Sequence, residues 1–171
     1  MTEPRPGDFG LTKISGLAGA FVSAGQWFVG DVAPVQHALV YVGDGMAVQA
    51  MPSGAEVIPL AEARPVAKWS TDLIDLTEEE RFDICVEALL LEHTPYSFLD
   101  YLSIALTRLG MHSKLIRDRV QGSGHLICSQ LVVEAYRRAG VELFGPDTFP
   151  GDYTPGDLWN LLKKKEADAR V

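Results

Sequence analysis

The chain has 171 residues, 47% apolar and 22% charged, with 23 acidic against 15 basic side chains and a formal charge of -8. That length supports one domain with its own core, and that mix excludes a disordered chain. The acidic balance leaves Lys163-Lys164-Lys165 as the one basic cluster, which excludes a nucleic-acid backbone as partner because no basic stripe exists to release its counterions.

The opening "MTEPRPGDFG" places proline and acid where a secretory leader needs a basic start. A soluble protein without a recognisable signal peptide is therefore expected, cytoplasmic or released by a phage-like or other export route. "PGDFGLTK" predicts a short strand entered through a Pro-Gly turn, with Asp8 as a turn residue. The apolar run "ISGLAGAFVSAGQWFVG" is shorter than the roughly 20 residues that span a bilayer. Its Ile14, Leu17, Phe21 and Phe28 recur at helical spacing, so it predicts a core-packed helix over 15–28 and no integral membrane segment.

"HALVYVG" reads as a strand, and "GDG" at 43–45 closes a hairpin into "MAVQAM". "AEVIPL" and "KWSTDLIDL" are two further strands. "TEEERFDICVEALLLEH" predicts a helix with a Thr77–Glu80 capping box and an apolar stripe of Phe82, Cys85, Val86, Leu89 and Leu90. Helices are expected over 98–109 and 129–139, the latter stopped by Gly140. "TPGDLWNLLKKK" supplies a last helix after a Pro-Gly turn, its lysines matching the negative end of the helix dipole. Strands first and helices later give an α+β fold, an antiparallel sheet with helices on one side. No repeat or break in composition divides residues 1–171, so one domain is expected.

Two cysteines carry the chemical question. Cys85 lies mid-stripe and reads as an inert core thiol. Cys128, followed by Leu131, Val132, Tyr136 and Ala139 at helical steps, reads first as a core thiol when taken alone. Its position adds something: "QGSGHLI" before it has no helical period, so the helix starts near Cys128. There the dipole's positive end favours thiolate, and helix N–H groups can hold an oxyanion.

The base is chosen from four histidines. Strand parity puts His37, Leu39 and Tyr41 on one face. A three-residue loop at 43–45, with Gly45 left-handed, sets Gln49 opposite Leu39 and diagonal to His37; a two-residue loop would turn Gln49 to the wrong face. Gln49 could then orient the imidazole as a third triad member. His93 reads as a helix cap, His112 as solvated, and His125 as a loop residue lining the approach to Cys128. No histidine and cysteine share metal-ligand spacing, so neither zinc nor any other cofactor is expected.

Taken in order, "PGDFGL", "HALVYVGDGMAVQAMPSGAEVIPL", "PYSFLDY", "CSQLVVEAYRRAGVEL" and "TPGDLW" resemble the permuted branch of the NlpC-like, papain-like cysteine hydrolases. The likeness is to its YiiX-like amidase group, with lecithin–retinol acyltransferase a more distant relative. The resemblance spans about residues 6–160 and implies a permuted papain-like fold, in which the histidine strand precedes the cysteine helix. It implies Cys128 as nucleophile, His37 as base and Gln49 in the third polar position, where many relatives carry an acid or a second histidine. Gln130 stands where that group often has glutamate. Tyr96, Ser129 and Tyr41 are the expected substrate contacts, Tyr96 matching a recurrent cleft tyrosine.

The implied activity is amide hydrolysis, with peptidoglycan stem peptides or a related small peptide as substrate. Two alternatives stay open: a thiol-dependent lipid acyltransferase or esterase, and a binding or structural module with weak chemistry.

Overall fold

A computed structural model describes residues 3–13, 33–51, 53–94, 128–145 and 153–170. The expected helices over 15–28 and 98–109, and Tyr96, His112 and His125, lie outside the described residues. Five strands form one antiparallel sheet: β1 (Phe9–Thr12), β2 (His37–Gly43), β3 (Met46–Met51), β4 (Gly54–Pro59) and β5 (Val66–Trp69). Their spatial order is β4-β3-β2-β1-β5, so β2, which begins with His37, is the central strand. The described helices are α1 (Glu78–Leu90), α2 (Cys128–Arg138) and α3 (Pro155–Asp168). The expected α+β class holds.

Alternation makes the sheet two-faced. Phe9, Leu11, Ala38, Val40 and Val48 point to one side and share a buried cluster with Ile84 and Ala88 of α1 and with Leu131, Val132 and Tyr136 of α2. The opposite face carries His37, Leu39, Gln49 and Glu56, a grouping fixed by the cross-strand pairs Leu39↔Gln49 and Gln49↔Glu56. Helix α1 begins at the capping box expected from Thr77 and Glu80, and α2 is described from Cys128 onward.

Four expectations about these elements need correction. The β2–β3 loop has two residues, Asp44 (φ 50) and Gly45 (φ 71), both in the left-handed region that a tight hairpin demands. Gln49 is nevertheless opposite Leu39, because the register shifts by one residue between Tyr41 and Gly43. The bulge in β2 takes up the extra residue that had been assigned to the loop. Second, the strand in "KWSTDLIDL" stops at Trp69, where Ser70 accepts from the Leu73 and Ile74 N–H groups and bends the chain. Third, α1 is rotated relative to its expected stripe. Arg81, Ile84, Cys85 and Ala88 are inside, while Phe82 (68% exposed) and Leu90 (67%) face outward. In α3, Pro155 and Gly156 form the first turn rather than a preceding bend, and Thr154 caps it.

The rotation of α1 has a cause. Arg81 Nη1 reaches Asp8 Oδ1 at 2.9 Å and the Pro6 carbonyl at 3.1 Å, and Thr71 Oγ1 donates to Asp8 Oδ2 at 2.7 Å. Gly7 makes this approach feasible: its φ is 86°, and a Cβ there would stand 3.0 Å from Arg81 Cα. Tyr136 of α2 closes the cluster by donating to the Gly7 carbonyl at 2.6 Å. Asp8 is thus a buried clamp rather than a plain turn residue, and an apolar side chain at position 81 would have left it uncompensated.

Asp8 and Arg81 are 1% and 5% exposed. Removing one partner strands a buried charge, which costs about 3–5 kcal/mol, whereas replacing both with apolar groups is tolerated far better. Urea unfolding should show Asp8→Ala losing stability on that scale, with the Asp8→Ala/Arg81→Met double variant recovering a large part of it. A double variant no better than the single would reject the clamp.

Candidate active site

Three elements bring three side chains together. Strand β2 starts at the sheet end where β1 finishes, pairing His37 with Thr12. Strand β3 sets Gln49 diagonal to His37, and the imidazole Nε2 lies 2.9 Å from Gln49 Oε1. A carbonyl oxygen only accepts, so Nε2 carries the hydrogen and donates to it. Helix α2 brings Cys128 to the ring, to which it is linked by charge and by a side-chain hydrogen bond. With Nε2 given to Gln49, Nδ1 is the nitrogen left for the sulfur. His37 is 5% exposed and Cys128 2%, so the pair is screened from bulk water.

The protonation of His37 follows from this setting. Burial is the largest influence and favours the neutral ring. The Cys128 thiolate charge opposes it, together with hydrogen bonds to Cys128 and Gln49; the Arg64 guanidinium adds a smaller push toward neutral. The balance raises the proton affinity of His37 above its ordinary value. An imidazolium beside a sulfur is an arrangement that favours the thiolate of a cysteine, its attacking form. Chemically, this set can attack an acyl carbon, shuttle a proton and keep its imidazole in one orientation.

The other expected site residues are dispersed. Ser129 is buried and its hydroxyl donates to the Tyr153 carbonyl at 2.6 Å. It anchors α2 to the approach to α3, and the substrate contact expected of it has no support. Tyr41 is four residues along β2 from His37, about 13 Å at strand spacing. Its hydroxyl accepts from the Gly45 N–H at 3.3 Å and its ring stands edge-on to Trp69. It belongs to the hairpin end of the sheet, not the thiol end. Tyr96 lies outside the described residues.

His93 is exposed at φ 64°, and its N–H donates to the Ala55 carbonyl, consistent with a backbone role. Cys85 is buried, and burial pushes its thiol up; it stands 3.9 Å from the Tyr41 carbonyl, in keeping with an inert core thiol. Neither Cys85 nor Cys128 forms a disulfide. Among the described residues no cluster of histidine, cysteine and acid could hold a metal ion.

Two residues near the site were not singled out from sequence. Glu56 accepts a hydrogen bond from Gln49 Nε2 at 2.9 Å, and Arg64 acts on His37 by charge. Glu56 was findable: once β3 and β4 meet at Met51 and Gly54, counting back sets it opposite Gln49. Arg64 follows the short 3-10 turn Leu60–Glu62 and carries no strand or helix signal.

No family model matches the chain, and no curated protein is significantly similar to it.

The raised proton affinity of His37 gives a signed pH prediction. Imidazolium persists above its usual value of about 6.5, so Cys128 should already be thiolate where an ordinary thiol, near 8.5, is still protonated. Iodoacetamide should label Cys128 rapidly at pH 6.5, and His37→Ala should move that labelling toward pH 8.5. Cys85 should label slowly at either pH until the protein unfolds. Identical wild-type and His37→Ala profiles would rule the coupling out.

Proposed function

We propose that the chain is a cysteine hydrolase of the permuted papain-like kind, acting on an amide bond in a small peptide, with peptidoglycan stem peptides as the first substrates to try. The observation that carries this reading is the coupling of a buried imidazole to the Cys128 thiol, with an amide oxygen 2.9 Å behind the ring. The order of those residues along the chain, histidine strand before cysteine helix, agrees with the resemblance in the sequence.

In this reading the Cys128 thiolate attacks the amide carbonyl carbon and forms a C–S bond. The oxyanion so formed sits at the positive end of α2. His37 gives its proton to the departing amine as the C–N bond breaks, leaving an acyl thioester. Water then attacks the thioester; His37 takes its proton, and the acid and the thiolate are released. Gln49 keeps the ring facing the sulfur through both halves.

A lipid acyl ester or thioester would suit the same thiol, and the outward Phe82 and Leu90 on α1 are the observation that favours it. Glu78, Glu79 and Asp83 on the same helix weigh against an anionic lipid surface. Among the described residues no helix is long and apolar enough to cross a membrane.

A panel of muropeptides, γ-linked and α-linked dipeptide amides, and short-chain acyl thioesters should give turnover in the peptide set. Cys128→Ala should abolish it. His37→Ala should lower kcat by at least about a hundredfold, the scale of lost general acid–base catalysis. Turnover that survives Cys128→Ala would refute the assignment, and activity confined to acyl esters would move it to lipid.

A further inference from the structure

Gln49 is held at both ends: Oε1 faces His37 Nε2, and Nε2 donates to Glu56 Oε1, each at 2.9 Å. A primary amide is nearly symmetric in shape, so contact with His37 alone does not decide which end faces the ring. An ionised carboxylate does decide it, because it only accepts. If the amide were turned over, its oxygen would point at the carboxylate, acceptor against acceptor, and the NH2 group at His37 Nε2. The ring would then have to accept at Nε2 and carry its hydrogen on Nδ1, the nitrogen left for the sulfur. It could not take a proton from the thiol.

We infer that Glu56 is a positioning residue that fixes the polarity of this relay: by claiming the Gln49 NH2 group it commits His37 to the Nε2–H tautomer and leaves Nδ1 to exchange a proton with Cys128. This rests on the proposed role of Cys128 and His37, but its central claim concerns the imidazole tautomer and is measurable without catalysis. The placement is specified by the fold, since Gln49↔Glu56 is a direct cross-strand pair. Both side chains are half-buried, and Gln49 is the hydrogen-bond partner of Glu56 among the described residues. Glu56 also offers what a glutamine lacks. A neutral amide orients imidazolium without opposing its charge, whereas a carboxylate one residue behind adds a negative charge to the chain of hydrogen bonds. The charged groups acting on His37 directly are the Cys128 thiolate and the opposing Arg64 guanidinium, while Glu56 reaches the ring through its hydrogen bond with Gln49.

The test has two arms. In the Cys128→Ala protein at pH 8 the ring is neutral, and the 15N shifts of His37 separate the two tautomers. Nε2–H should dominate there, and adding Glu56→Gln, which can donate as well as accept, should give a mixture or the Nδ1–H form. Adding Glu56→Asp instead, which keeps an obligate acceptor, should restore a majority of Nε2–H. Nδ1–H dominance in the parent, or no change with Glu56→Gln, would overturn the inference.

In the chain with Cys128 intact, Glu56→Gln should slow iodoacetamide labelling at pH 6 by about tenfold, equivalent to one pKa unit of lost thiolate preference. A labelling rate that Glu56→Gln leaves unchanged would also count against it. If wild-type Cys128 shows no labelling in acid at all, the hydrolase reading fails, and the tautomer arm still decides the role of Glu56.

Discussion

The register of β3 on β2 is the constraint on which the site depends. Side chains on a strand alternate, so a slip of one residue would turn Gln49 into the core and present Val48 or Ala50 to the imidazole. A two-residue turn alone would produce that slip. The bulge between Tyr41 and Gly43 absorbs one residue and restores the pairing of Leu39 with Gln49. Because β4 is registered on β3 with Glu56 opposite Gln49, the same bulge also decides that this pair, and not an adjacent one, is set against the start of β2. A local irregularity about 13 Å from the ring, at strand spacing, thus sets the hydrogen-bond chain at the other end of the hairpin.

A second, independent device sets how α2 meets the sheet. Helix α2 lies over the face of Val40 and Val48, and its roll is limited by Tyr136, whose ring stands edge-on to Phe9 with centroids 5.7 Å apart and whose hydroxyl reaches the Gly7 carbonyl. That carbonyl belongs to the loop gripped by Asp8 and Arg81. The buried ion pair therefore ties three parts of the chain together: the approach to β1, helix α1, and through Tyr136 the helix that carries Cys128. A buried pair is a weak source of net stability; here its value lies in fixing how α1 and α2 sit against the sheet.

The sequence made much of this legible, because the informative signals were local. Thr77 with Glu80 marked a helix start, "HALVYVG" marked the central strand, and the helical steps after Cys128 marked the body of α2. His37, Gln49 and Cys128 were legible as a set because strand parity and a helix start restrict where a side chain can point. What was misread depended on partners distant in the chain. Phe82 and Leu90 look like core on a helical wheel, but the roll of α1 is decided by Arg81 reaching Asp8, 73 residues away. The hairpin was read as a longer loop because a bulge leaves no compositional mark in "YVGDG". Ser129 beside Cys128 suggested contact with substrate, yet its hydroxyl donates to the Tyr153 carbonyl, 24 residues on.

That last bond couples α3 to the described start of α2. Phe144 and Tyr153 stack with ring centroids 3.9 Å apart, Thr154 caps α3, and Ser129 is fastened to the Tyr153 carbonyl. The residue next to Cys128 thus shares a fixed point with the segment that leads into α3. Loss of that fixed point would leave Ser129, and Cys128 beside it, untethered from the far helix.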